Sequence, residues 1–234
     1  MTLIDKTKQT KPRTHVCMIL DSSGSMGMIK QEAINHFNEQ IEDLRRKSTE
    51  HDIDVSLLTF NWNVDLVRKV ESVDSIQKLT ELEYQPNGGT ALYDAIGYGI
   101  STIQKNCDDL EDKNTAVLFL IITDGQENSS NEFNQAKIKS LFSDLEPKGW
   151  TFTFMAANVD PMSIVQDYGL SASNVAIFTA NAVGMAHAGE QTSLGNTGYF
   201  AARSVGVRTS ASFYDQDEKE DSEESEVKLV DSTS

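Results

Sequence analysis

The 234-residue chain predicts a doubly wound α/β fold, a mostly parallel sheet with one antiparallel edge strand and helices on both faces. Three observations predict it. The runs "HVCMILD" (15–21) and "TAVLFLIITD" (115–124) are almost wholly apolar, as strands covered on both faces of a parallel sheet must be. Helical patterns of apolar spacing separate the strand-like runs. "DVSLLTF" (54–60) and "VDLVRKV" (64–70) flank the turn-like "NWN", which predicts a hairpin and hence the antiparallel edge.

The other elements follow in order. Ile29, Ala33, Ile34, Phe37, Ile41 and Leu44 form a stripe at helical spacing over 29–45. A second helix is expected over 90–105, opened by Thr90. A third, at about 131–145, stops before Pro147 and Gly149. "TFTFMAA" (151–157), a short helix near 161–169 and "VAIFT" (175–179) complete the series. Residues 1–14 read as a flexible N-terminal arm and 15–180 as the domain. Residues 181–210, rich in Gly and Ser, form a C-terminal extension that resembles a loop, with "GYFAARSVGV" as a candidate short helix. Residues 215–234 hold nine acidic and two basic side chains, a net charge of −7, and 211–234 are expected to be an acidic disordered tail.

Charge excludes some functions. With 36 acidic and 20 basic residues the chain carries −16, which disfavours a phosphate-backbone footprint or docking on anionic membranes. We therefore expect no nucleic-acid and no membrane partner. The longest apolar run, 116–122, is too short to span a bilayer. The N-terminus lacks the apolar core of a secretory signal, and Cys17 and Cys107 form no disulfide framework. A cytoplasmic location is the expectation, in a host cell if the protein is phage-encoded.

The chemistry gathers at strand ends. Asp21 and Asp124 each terminate one of the two most apolar strands, and would share a rim if those strands were neighbours. The loop after Asp21 adds Ser23 and Ser25, and "PNGGTALYDA" brings Thr90 behind two glycines. Five oxygen-bearing side chains from three loops suit a hard cation: Mg²⁺, with Mn²⁺ or Ca²⁺ as alternatives. The simpler alternative is helix capping, for which Ser23, Ser25 and Thr90 are all suitable. Capping leaves Asp21 and Asp124 unexplained.

The segments "DSSGSM", "GGTALYDA" and "ITDG" resemble, in order, the three loops of a von Willebrand factor type A domain with a complete metal-ion-dependent adhesion site. The resemblance spans roughly 14–180. It implies that Ser23, Ser25 and Thr90 touch the metal, that Asp21 and Asp124 act mainly through waters or hydrogen bonds, and that an Asp or Glu carboxylate of a partner protein fills the open position. In length the chain resembles small stand-alone bacterial and phage relatives, including those of tellurite-resistance clusters.

Other polar residues are weaker candidates. His15 sits about 20 Å from the rim at strand spacing, too far for a general base there. His36 lies on a helix face and His51 in a turn. The "GMAHAG" segment around His187 lacks the Lys-Ser/Thr of a phosphate loop. Glu127 is the one nearby carboxylate able to serve as a base, though a solvated loop position is the simpler reading. Tyr93 and Asp94 read as supporting or packing residues, and Trp62 as either a contact residue or a cover for the sheet edge. No nucleophile is evident, so an interaction module is expected rather than an enzyme. A metal-assisted hydrolase and an assembly protein that self-associates through its acidic tail remain the alternatives.

Overall fold

In the computed structural model, which describes residues 11–215, six strands form one sheet in the order β3-β2-β1-β4-β5-β6. The strands are β1 (Arg13–Asp21), β2 (Asp52–Phe60), β3 (Val64–Ser72), β4 (Thr115–Thr123), β5 (Trp150–Ala156) and β6 (Val175–Ile177). All neighbours pair in parallel except β2 and β3, which form the expected antiparallel edge. Five α-helices cover the sheet: α1 (Lys30–Lys47), α2 (Leu92–Asn106), α3 (Gln135–Leu145), α4 (Pro161–Tyr168) and α5 (Ala182–Ser204).

Strand alternation divides the core. On β1, Val16, Met18 and Leu20 point to the side of α1 and α5, while Cys17 and Ile19 point to α2. On β4, Leu118, Leu120 and Ile122 join the first face and Val117, Phe119 and Ile121 the second. Both cysteines are buried free thiols. From β1 the chain winds outward through β2, and from β4 it winds the other way, so the order reverses between these two central strands. Ligands of such sheets bind at that reversal, beyond the carboxyl ends of the strands.

Residues 182–204 form one 23-residue helix, where the sequence suggested a loop with a short helical piece. The reason is that the buried face of α5 interleaves Met185, Ala188, Tyr199 and Phe200 with small and polar residues, which breaks up the apolar stripe. A Cβ on Gly189 would sit 3.4 Å from His36 Nδ1 of α1, so the glycine lies directly against the His36 ring. Gln40 Nε2 donates to Gly189 O at 3.1 Å, and Asn196 Nδ2 donates to Gln40 Oε1 at 2.9 Å.

The terminal expectations also need correction. Arg13 and Thr14 belong to β1 rather than to an arm, because a parallel neighbour on each side pairs them. At the other end, Phe213 is fully buried beside Gly195, and Tyr214 N donates to Ser173 O at 2.9 Å, so these two residues pack on the domain rather than starting a loose tail. The remainder of the predicted arm (1–10) and of the tail (216–234) lies outside the described residues.

Two buried histidines give stability opposite pH slopes. Burial alone holds His36 down at about 4, and neither ring nitrogen has a hydrogen-bond partner. Burial also opposes a charge on His15, but Asp54, the Cys107 thiol and Asp109 outweigh it and lift the ring to about 10. Its Nε2 lies 2.8 Å from Asp109 Oδ1 and its Nδ1 3.4 Å from Asp54 Oδ2. The unfolded chain takes up a proton near 6.5 at either position. Between pH 4 and 6.5 only the unfolded state protonates His36, so this contribution to stability falls as pH falls. Between pH 6.5 and 10 only the folded state keeps the His15 proton, so that contribution is lost as pH rises. Urea titrations should show His36→Leu flattening the acid limb and His15→Gln flattening the alkaline limb, each by a difference on the order of 2 kcal/mol or more across its window.

Candidate metal centre

β1 and β4 are adjacent and in register to Leu20↔Ile122, so Asp21 and Asp124 emerge on one rim. Asp21 is fully buried and Asp124 nearly so. Asp21 Oδ1 accepts from Ser23 N at 2.6 Å and Oδ2 accepts from Thr123 Oγ1 at 2.6 Å. Ser25 Oγ donates to Asp124 Oδ1 at 2.7 Å, and the Ser23 and Ser25 hydroxyls are 3.2 Å apart. A Cβ on Gly125 would lie 3.7 Å from Thr90 Oγ1, which brings the third loop to the same point. The five residues singled out from the sequence thus share one rim.

Backbone hydrogen bonds fix the three loops to one another. Gly24 N donates to Gly88 O at 3.1 Å, Asn87 N to Ser22 O at 2.9 Å, and Asn128 N to Thr90 O at 3.0 Å. Thr90 N donates to Asn128 Oδ1 at 2.9 Å, and Asn158 Nδ2 to Asp124 O at 3.1 Å. Capping does not occupy the hydroxyls. Ser23 begins a short 3₁₀ turn, Gly24–Ile29, without a side-chain cap bond, and α1 starts later at Lys30. Thr90 does not open α2 either, because Ala91 holds the position before Leu92.

Burial pushes Asp21 up to about 6 against the pull of its hydrogen bonds from Thr123 and Ser23, and the Asp124 charge adds to the rise. Two carboxylates and three hydroxyls facing one another favour a cation. The donor set is all oxygen, as a hard divalent ion requires. Among the described residues no group of three or more His, Cys, Asp or Glu could hold a metal. Three of the five donors at the rim are hydroxyls, so it contributes only two residues of those types, Asp21 and Asp124.

Glu127 has a structural task. Its Oε1 accepts from Ser129 N at 2.8 Å and Ser130 N at 2.7 Å, and its Oε2 from Tyr93 N at 3.0 Å and Ser130 Oγ at 2.7 Å. Asp94 acts likewise, accepting from the backbone N–H of Asn131, Glu132 and Phe133 at 2.8–3.0 Å. Asp94→Ala is expected to cost about 2–3 kcal/mol by orphaning these donors. Hydrogen exchange should accelerate at 131–133, and less at the serine loop.

Sequence reasoning missed three supports. Thr123 was signalled only as a hydroxyl closing an apolar strand. Tyr84 gave no signal, yet its hydroxyl donates to the Asp21 carbonyl from a fully buried position. Asn128, which exchanges hydrogen bonds with Thr90, resembled an ordinary loop residue.

Trp62 is 63% exposed, and Met28, in the 3₁₀ turn that follows Ser23, is 80% exposed. Trp62 caps the β2–β3 turn and lies on the Gly88–Gly89 backbone, beside Thr90. Gly88 has φ of 78°, and a Cβ there would meet the indole at 2.8 Å, so both its conformation and its cover require glycine. A cavity of about 230 Å³ opens beside Gly125, lined by Leu92, Tyr93, Glu127, Asp167 and Tyr168.

The family model for the von Willebrand factor type A domain matches residues 15–193, through the first half of α5. This chain belongs to the von Willebrand factor type A family. Its domains are typically adhesion or protein-interaction modules and often bind divalent cations. Structures support the fold. The manganese-loaded TRAP protein of Plasmodium vivax is 17% identical with a TM-score of 0.52, covering 74% of this chain and 70% of that one. A D319A mutant of the PilB minor pilin of Streptococcus sanguinis is 13% identical with a TM-score of 0.57, covering 84% and 64%. Human calcium-activated chloride channel regulator 4 is 26% identical over 120 residues, which are 50% of this chain and 12% of that protein. The chain therefore spans a small part of that human relative. Among the described residues no helix is long and apolar enough to cross a membrane.

Proposed function

We propose that this von Willebrand type A domain holds a divalent cation, Mg²⁺ by preference, and uses it to capture an Asp or Glu carboxylate of a protein partner. Ser23, Ser25 and Thr90 would supply direct oxygen ligands. Asp21 and Asp124 would balance the charge through waters or hydrogen bonds, leaving a position for the incoming carboxylate. The convergence of two buried carboxylates and three hydroxyls on the β1/β4 rim carries this reading. Neutral hydroxyl ligands leave the cation strongly electrophilic, which suits capture of an external anion. Exposed Trp62 and Met28 would add apolar contacts.

Glu127 gives the hydrolase alternative little support, since all four of its hydrogen bonds are committed to holding its own loop and Tyr93. A magnesium-dependent partner complex should dissociate on chelation and fail to form with Asp21→Ala, while circular dichroism of the variant stays native. A complex indifferent to both treatments would refute the mechanism.

A further inference from the structure

The cavity beside Gly125 is unused by the cation reading and shares a wall with it. Thr123 and Gly125 line the cavity, while Thr123 Oγ1 also donates to Asp21 Oδ2 at 2.6 Å and Gly125 lies against Thr90 Oγ1. At about 230 Å³ it is smaller than the roughly 300–1,000 Å³ of pockets for drug-sized ligands, a size that suits one side chain. Its lining divides by chemistry. Leu92, Val159 and Ile164 give apolar walls, and the Tyr93 and Tyr168 rings meet at 55° with centroids 6.1 Å apart. Two carboxylates, Glu127 and Asp167, complete it. Resting on the cation reading above, we propose that this cavity takes the guanidinium of an arginine from the same partner protein whose carboxylate binds the metal.

The polar groups of the lining are of two kinds. Thr123 and Glu127 are committed to neighbours, although the donors to Glu127 are all neutral and leave its charge in place. Tyr168 is only 5% exposed, yet its hydroxyl has no hydrogen-bond partner among the described residues and can be satisfied only from the cavity. The Tyr93 hydroxyl and the Asp167 carboxylate are likewise unpaired among those residues. Lys139 of α3, which packs against α4, donates to the Gln166 carbonyl at 2.6 Å rather than to Asp167. Burial pushes both phenols up, and the Glu127 and Asp167 charges add to the rise, so both hydroxyls stay neutral at physiological pH. The cavity thus offers negative charge, aromatic faces and unfilled acceptors together. A guanidinium answers all three, being permanently charged, planar and weakly hydrated, with donors in a fixed fork. Its aliphatic stem can lie on the apolar walls. An anion is repelled by the carboxylates, and an apolar side chain leaves Tyr168 and Asp167 unsatisfied. The shared Thr123–Gly125 wall puts the two ligands side by side, so residues i and i+2 of an extended segment, on one face and roughly 7 Å apart, would serve both.

The test titrates the full chain with ethylguanidinium, in EDTA and again with Mg²⁺, and follows the backbone amides by nuclear magnetic resonance. The amides of Gln126, Asp167 and Tyr168 should shift saturably in both conditions. Asp167→Asn and Tyr168→Phe should each weaken the binding by about fivefold. Tyr168→Phe should melt no lower than wild type, because the hydroxyl it removes has no partner, so its weaker binding is not a folding defect. With Mg²⁺ present, the blocked tripeptides Asp-Ala-Arg and Arg-Ala-Asp cover both chain directions. One of them should bind about tenfold more tightly than its glutamine counterpart, and that ratio should fall towards one in Asp167→Asn. Ethylguanidinium shifts that are absent, or equal in wild type and both variants, overturn the cavity as an arginine site and leave the metal reading standing. Lysine peptides as tight as the arginine ones overturn the guanidinium assignment. Absence of Mg²⁺ binding in calorimetry overturns the cation reading, and the paired capture with it, whatever the cavity binds.

Discussion

Asp124→Ala is expected to fold normally and to lose its thermal response to magnesium. A ligand at a hundred times its Kd stabilises the native state by about 2.7 kcal/mol. For a domain of this size that moves Tm by roughly 5–10 °C. Wild-type protein should show an increase of this order between chelator and saturating Mg²⁺, and the variant none. The chelated baselines discriminate further. Without the ion, the Asp124 charge works against ionised Asp21 on the same rim. Removing Asp124 relieves that repulsion, so the variant in chelator should melt at or above wild type. A variant that simply damaged the fold would melt lower in both conditions. Differential scanning calorimetry of both proteins, with EDTA and with Mg²⁺, separates the two outcomes.

Arg203→Ala should produce the largest loss of stability at a position remote from the rim. The side chain is 1% exposed although it carries a charge. Its guanidinium donates to the carbonyls of Arg13 at 3.0 Å and Val207 at 3.0 Å, to the Asn114 carbonyl, and to Thr14 Oγ1 at 3.3 Å. It thereby ties the end of α5 to the start of β1 and to the residue before β4. Truncation removes the guanidinium from three part-buried carbonyls and the buried Thr14 hydroxyl, and hydrogen bonds from a charged group are worth about 1.5–3 kcal/mol each. A net loss of about 3 kcal/mol or more is expected in urea unfolding. Lysine has the charge but not the planar fork, so Arg203→Lys should recover less than half. Magnesium affinity of the surviving folded protein should stay near wild type, because the rim is at the far end of β1.

The sheet and its rim were legible in the sequence because β1 and β4 are apolar throughout and each meets a carboxylate at its end. That signature needs no partner to be recognised, and the glycines before Thr90 added the third loop. The helix α5 was not legible. The middle of its contact face consists of Gly189, Asn196 and neighbours that meet Gln40 of α1 through hydrogen bonds, which interrupts the apolar series of Met185, Ala188, Tyr199 and Phe200. Phe213 was hidden for a related reason: it lies at the border of an acidic segment, and only the space left by Gly195 makes it a core residue. Glu127 and Asp94 were visible as carboxylates near the site. Their work of accepting backbone N–H groups depends on loop conformation, which spacing does not encode.

Titration of Mn²⁺ into the full chain, with the free ion followed by electron paramagnetic resonance, tests most directly whether these oxygens hold a cation. One ion should bind per chain and be displaced by Mg²⁺, and binding should vanish in the Ser23→Ala/Ser25→Ala double variant and in Asp124→Ala. Manganese bound with undiminished affinity by those variants, or not bound by wild type, would contradict the account.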